Sequence, residues 1–197
     1  WLAPALNIHR NPLCGRNFEY YSEDPVVVGI TGTAATLGVQ SNKGVGVTIK
    51  HYAMNSQETN RNAENNTVSE RAIREIYLKG FEAVVKQAQP MAIMTSYNQN
   101  NGRPAADDYD LCTAFARDEW GFQGFVLTDY FGVYGYMNSD QGIRNGTDAM
   151  LVAYDTETNH VKDQKSATGV EAMRQACKNI MYTVVNSRAY DAENLET

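Results

Sequence analysis

Short apolar runs that alternate with longer amphipathic stretches constrain this chain more than any other feature. The runs are Trp1 to Ile8, Val45 to Ile49, Met91 to Thr95, Phe125 to Tyr130 and Asp148 to Val152. Each is bounded by turn residues and is too short to be a helix, which is the signature of a strand buried on both faces. Between them lie helical patterns. Asp24 followed by Pro25 opens the first, with Val26, Val27, Ile30, Ala34 and Leu37 as its expected inward face. Thr67 and Glu70 form a capping box before Ile73, Ile76, Tyr77, Phe81, Val84 and Val85. A third begins near Asp110 and turns Leu111, Phe115 and Trp120 inward. The last opens on Thr168 with Glu171 and points Val170, Met173, Cys177, Ile180, Met181 and Val184 at the core. Strand and helix in strict alternation mean an α/β fold with a parallel sheet.

Two architectures fit that pattern, an open doubly wound sheet and part of an eight-unit (β/α)8 TIM-type barrel. No Gly-x-Gly-x-x-Gly turn or phosphate loop follows a strand, which weakens a nucleotide-binding sheet. About five units cannot close a barrel that needs eight, so the barrel reading makes this chain incomplete on its own. A start at Trp1 rather than Met agrees with a piece of a longer protein.

Composition narrows the function. A net charge of -6 lacks the basic face that nucleic acid demands. No apolar stretch approaches the ~20 residues of a membrane span, and no signal-peptide pattern is present. Three widely spaced cysteines without a C-x-x-C pair suit reduced thiols better than a disulfide framework or zinc site, which leans the location toward the cytoplasm over secretion. Twelve tyrosines supply rings of the kind that pack on sugars.

In a parallel sheet the strand C-termini share one end, and the residues that follow them converge there. Here these are Arg16, Lys50 with His51, Arg61, Met94 with Tyr97, and Asp129 with Tyr130. One carboxylate stands among cations and aromatic surface. Nearby positive charge keeps it ionised, and an ionised carboxylate is a nucleophile.

The chain resembles glycoside hydrolase family 3, the family of β-glucosidases and related exo-acting enzymes. The resemblance is carried by Asn7-Ile-His-Arg-Asn-Pro12, Gly15-Arg-Asn-Phe-Glu-Tyr-Tyr-Ser-Glu-Asp-Pro25 and Lys50-His-Tyr-Ala-Met-Asn-Ser-Gln-Glu58 with Arg61. Met94-Thr-Ser-Tyr-Asn98, Asn101-Gly102 and Glu119-Trp-Gly-Phe-Gln-Gly-Phe-Val-Leu-Thr-Asp129 complete it. It implies that residues 1–197 are a partial barrel domain, without the first barrel units or the second α/β sandwich domain. It implies that Asp129 is the nucleophile of a retaining β-glucosidase acting through a covalent intermediate. Arg16, Lys50, His51, Arg61 and Tyr97 then hold the sugar, while Met94 and Tyr130 line the subsite. The resemblance further implies a β-glucoside or oligosaccharide substrate, no need of a cofactor or metal, and an acid/base from the sandwich domain or the remaining polypeptide.

Three departures from the family pattern stand out. Thr128-Asp129-Tyr130 replaces the usual Ser-Asp-Trp, the early sugar-binding Asp has no counterpart, and only one of the two carboxyls is assignable. The N-acetylglucosaminidase branch does not fit, because Lys50-His51-Tyr52-Ala53 lacks its Pro-Gly-His loop. Other readings stay open: a β-xylosidase or other β-glycosidase, a lyase with a Schiff base on Lys50, or a non-catalytic sugar-binding or assembly component.

Overall fold

The computed structural model describes residues 1–130, 137–152 and 160–188. The first helix, α1 (Pro25–Gln40), starts where Asp24 accepts hydrogen bonds from the backbone N–H groups of Val26 and Val27. Strand β1 (Thr48–Tyr52) follows, then the short β2 (Asn65–Asn66) and α2 (Glu70–Ala72). A π-helical turn over Ile73–Tyr77 leads into α3 (Lys79–Ala88). Next come β3 (Ala92–Thr95), the hairpin β4 (Gln99–Asn100) and β5 (Arg103–Pro104), and a π-helix over Asp110–Glu119. The carboxylate-bearing strand is β6 (Phe125–Tyr130), followed by α4 (Ser139–Asn145), β7 (Ala149–Leu151) and α5 (Ala167–Val185).

The main sheet has the order β1-β3-β6-β7 and every pairing in it is parallel. Ala5 adds a parallel bridge to Lys50 outside β1. Backbone bonds from Thr48 to the Trp1 carbonyl and from Lys50 to the Pro4 carbonyl extend that contact, so the N-terminal segment makes a fifth line. The result is the α/β, partial (β/α)8-type arc that the alternation predicts. No described helix is long and apolar enough to cross a membrane.

The two faces of the arc differ. On the helix side Leu6, Val28, Ile49, Phe81, Val84, Ile93 and Val126 form the large core. On the other side Ala92, Met94 and Leu127 make a smaller cluster. Alternation along β6 puts Phe125, Leu127 and Asp129 on one face, so the carboxylate rises from the small cluster. The hairpin between β4 and β5 turns on Asn101 and Gly102, both at positive φ (51° and 85°), as a two-residue turn of this kind requires.

Several expectations shift. The strand expected over Val45 to Ile49 forms three residues later. Gln40 Oε1 accepts the N–H groups of Val47 and Met91 at 3.3 and 3.2 Å, so a side chain satisfies the approach to β1 and β3. The caps are Ser69 and Ser166, not Thr67 and Thr168. Asn101 bonds both the N–H and the carbonyl of Val68, which holds that segment extended until Ser69 can accept from Ala72. Ser166 accepts from Gly169, which leaves Thr168 already inside α5.

The helix faces are the larger correction. Val26, Val27, Ile30 and Leu37 are exposed, Ile30 by 67%, and α1 buries Val28, Gly29, Gly32, Thr33 and Thr36 instead. Close approach of backbones decides this. A Cβ on Gly32 would sit 2.5 Å from Leu6 Cδ2, and one on Gly80 would sit 2.7 Å from Val28 Cγ1. Similarly α5 buries Gly169, Ala176 and Asn179, while Cys177, Met181 and Val184 are exposed and Val170, Met173 and Ile180 only half-buried. The C-terminal stretch 191–197, acidic in sequence and read as a tail, lies outside the described residues.

Candidate active site

Each charged residue at the C-terminal end of the arc is placed by the element just before it. Asp129 is the penultimate residue of β6, and its Oδ1 accepts the backbone N–H of Tyr130 at 2.7 Å. Lys50 and His51 lie within the last residues of β1 rather than beyond them, because that strand runs later than expected. His51 is buried, and its Nε2 stands 3.7 Å from Asp129 Oδ2. Tyr97 is buried just after β3, with the Arg61 guanidinium 4.5 Å over its ring. Met94 belongs to the small cluster with Leu127, two residues before Asp129. Tyr130 ends β6 and pairs in register with Leu151.

The cations have carboxylate partners. Arg16 Nε bonds Glu19 Oε1, and Lys50 Nζ lies 3.2 Å from Glu19 Oε2. Arg61 donates to Glu58 Oε2 at 2.8 Å, and Asn55 donates to Glu58 Oε1 at 3.0 Å. Tyr20 in turn donates to the Asn55 carbonyl, tying the loop of residues 16–20 to that of residues 55–61. So the picture of one carboxylate among cations is corrected. Arg16, Lys50 and Arg61 are matched by Glu19, Glu58 and Asp129, and the cluster is near electrical balance.

That balance shows in the titration of the site. Burial raises Asp129 above the usual aspartate value, against the pull of the Tyr130 N–H and of Arg16, Arg61 and Lys50. Desolvation disfavours the charged form, and cations half-neutralised by Glu19 and Glu58 offset it only in part. Burial likewise pushes His51 well below its ordinary value, and Arg16, Lys50 and Arg61 push the same way. His51 is therefore neutral near pH 7.

All of Arg16, Lys50, His51, Arg61, Tyr97 and Asp129 thus take part in one connected cluster at one end of the sheet. Sequence reasoning missed Glu19, Glu58, Asn55 and Asn7. The signal was present: three cations gathered at one partly buried site need counter-charges, and both glutamates sit within three residues of the arginines they bind. Among the described residues, no group of three or more His, Cys, Asp or Glu is placed to hold a metal ion.

A parallel arc with half-buried charged groups gathered at its C-terminal strand ends is the arrangement expected of part of a TIM-type barrel domain. Residues 1–183 match the family described as Glycosyl hydrolase family 3 N terminal domain, and the chain belongs to glycoside hydrolase family 3. It is 47% identical over 169 residues to β-glucosidase A from Butyrivibrio fibrisolvens, covering 83% of this chain and 20% of that protein. It is 52% identical over 129 residues to an exo-α-(1→6)-L-arabinopyranosidase from Bifidobacterium longum, covering 66% of this chain and 17% of that one. Among solved structures it superposes on the Bifidobacterium adolescentis family 3 β-glucosidase with a TM-score of 0.87 and 38% identity, over 95% of this chain and 27% of that one. β-Glucosidase 3B from Thermotoga neapolitana in complex with glucose gives 0.83 and 39%, over 97% and 28%. The chain therefore spans less than a third of each of these proteins.

Proposed function

We propose that these residues are the nucleophile-bearing part of a retaining, exo-acting β-glucosidase. The observation that carries the proposal is the position of Asp129, at the end of a buried parallel strand, with His51 beside it and three cations near enough to act on its charge. A carboxylate oxygen of Asp129 attacks the anomeric carbon of a terminal β-D-glucosyl unit, and the bond from that carbon to the aglycone oxygen breaks. An acid supplied by the remaining polypeptide protonates the leaving oxygen. Water then attacks the same carbon, the conjugate base takes its proton, and the ester to Asp129 is released. Arg16, Lys50, His51, Arg61 and Tyr97 grip the sugar hydroxyls, and Met94 and Tyr130 wall the subsite.

The acid/base is to be sought about 5 to 5.5 Å from Asp129, the separation of a retaining pair. Glu19 and Glu58 do not suit the part, since each is held by an arginine. A lyase built on Lys50 is disfavoured because its ammonium is already engaged by Glu19 at 3.2 Å.

A second sugar is favoured by one observation. The 52% identity to an arabinopyranosidase over 129 residues stands beside 47% to β-glucosidase A over 169, so a terminal pentopyranosyl substrate competes with glucose. Side-by-side kcat/KM values for aryl β-D-glucoside, β-D-xyloside and α-L-arabinopyranoside decide between them. The mechanism itself is tested by adding azide to Asp129→Ala in the full-length protein. Azide attacks the anomeric carbon in place of the carboxylate, so turnover should recover with formation of the α-glycosyl azide. Failure of any small anion to restore an otherwise folded Asp129→Ala enzyme counts against the nucleophile role.

A further inference from the structure

Asn7 bears no charge and is absent from the set of residues that pattern alone brings to the site. It is almost fully buried in the N-terminal segment beside β1. Its amide meets residue 51 at three places. Asn7 Nδ2 donates to the His51 carbonyl at 2.9 Å, and Asn7 Oδ1 accepts the His51 backbone N–H at 2.9 Å. The same Oδ1 lies 3.3 Å from Nδ1 of the His51 ring.

The two backbone bonds settle which end of the amide is oxygen. Rotating the amide by half a turn would set NH2 against the His51 N–H and oxygen against its carbonyl, trading two hydrogen bonds for two repulsions. An amide oxygen only accepts, so the ring nitrogen facing it must carry the hydrogen. A neutral imidazole has one N–H. Burial and the cations around His51 keep it neutral, so Nε2 is left with a lone pair. The spacing to Asp129 agrees. A charge-assisted N–H···O⁻ bond closes to about 2.7–2.9 Å, whereas Nε2 and Asp129 Oδ2 stand 3.7 Å apart, as two acceptors would.

We propose that Asn7 is a positioning residue that holds His51 as the Nδ1–H tautomer, so that Nε2 accepts a hydrogen bond from a substrate hydroxyl instead of donating one. Lys50 and Arg16 can only donate. His51 then supplies the complementary acceptor, and the site demands a group that both gives and takes a hydrogen bond, as a sugar hydroxyl does. The substrate clause rests on the glycosidase reading; the tautomer and its dependence on Asn7 do not.

The test uses 15N-histidine NMR on the full-length protein at neutral pH, with the His51 signals identified by their loss in His51→Gln. We expect Nδ1 at a protonated shift and Nε2 at the shift of a bare imidazole nitrogen. Asn7→Leu, of the same branched shape but without an acceptor, should move the ring toward the Nε2–H form and lower kcat/KM roughly tenfold or more. Asn7→Asp keeps the acceptor facing Nδ1 but gives up the bond to the His51 carbonyl, so it should retain the Nδ1 proton and recover only part of that loss. The wild-type spectrum does not depend on Asn7→Leu, so the proposal stays testable if that variant does not fold. Nδ1–H in the wild type supports it even if no glycoside is turned over. An Nε2–H wild type overturns it even in an active glycosidase, as does an Asn7→Leu protein with unchanged tautomer and kinetics.

Discussion

The two ends of the sheet each hold an aspartate near arginine, buried at one end and half-buried at the other, and they use it differently. At the N-terminal end Asp148 stands just before β7. Its Oδ2 accepts from Arg117 at 2.6 Å and from the Val126 backbone at 2.7 Å, and its Oδ1 accepts from Asn179 at 2.8 Å. These bonds tie β6, the π-helix and α5 to one carboxylate, which burial nonetheless pushes up to about 6. At the C-terminal end the cations are engaged by Glu19 and Glu58, and the neighbouring imidazole stays 3.7 Å from Asp129 Oδ2. A carboxylate wrapped by donors on both oxygens is a structural fastener. One whose neighbouring cations are held by other carboxylates suits the chemical role proposed for Asp129. The same residue type thus reads differently according to where the surrounding donors are pointed.

The contrast breaks first at Asp129→Ala. Turnover should fall by about a thousandfold or more, with unfolding little changed, since the account gives that side chain a chemical role. Asp148→Ala should do the reverse. It strands Arg117, the Val126 N–H and Asn179, at a cost of about 3–5 kcal/mol in denaturant unfolding, while the folded fraction keeps near-normal kcat/KM. Comparable losses of stability in both variants would erase the distinction between the two ends.

Smaller effects sharpen it. Lys50→Ala and His51→Ala should each lower kcat/KM by roughly tenfold or more, because hydrogen bonds to sugar hydroxyls strengthen in the transition state. Unchanged kinetics in both would remove them from the site. The pH profile should move least. As the proposed nucleophile Asp129 must be ionised, and burial raises its pKa, so the acid limb of kcat/KM should have its midpoint above the ordinary aspartate value. Glu19→Gln removes a negative charge from beside Arg16 and Lys50, which strengthens their pull on Asp129 and should shift that limb to lower pH. A shift to higher pH would show that the three cations do not act on Asp129 as described.

Much of this was legible in the residues, and the misses share a cause. Strand β6 and the inward residues Leu111, Phe115 and Trp120 emerged as expected, because a short apolar run and a single apolar stripe admit one orientation. In α1 and α5 the apolar stripe competes with a stripe of small residues. In α1, periodicity does not tell which stripe faces inward when Gly29, Gly32 and Gly80 let the helix approach α3 and Leu6 closely. At the site, the cations and the nucleophile candidate were visible as residues after strands. Glu19, Glu58 and Asn7 were not, since their parts lie in pairing with other side chains rather than in following a strand.

The central claim is that Asp129 forms a covalent bond to the sugar. The most direct measurement incubates the full-length enzyme with a 2-deoxy-2-fluoro β-glucoside bearing a good leaving group. Fluorine slows both steps through their oxocarbenium-like transition states, and the leaving group spares the first, so the ester accumulates. Peptide mass mapping should place the fluoroglycosyl label between Phe125 and Tyr130, on Asp129. A label on Glu19, Glu58 or any other carboxylate would contradict the account.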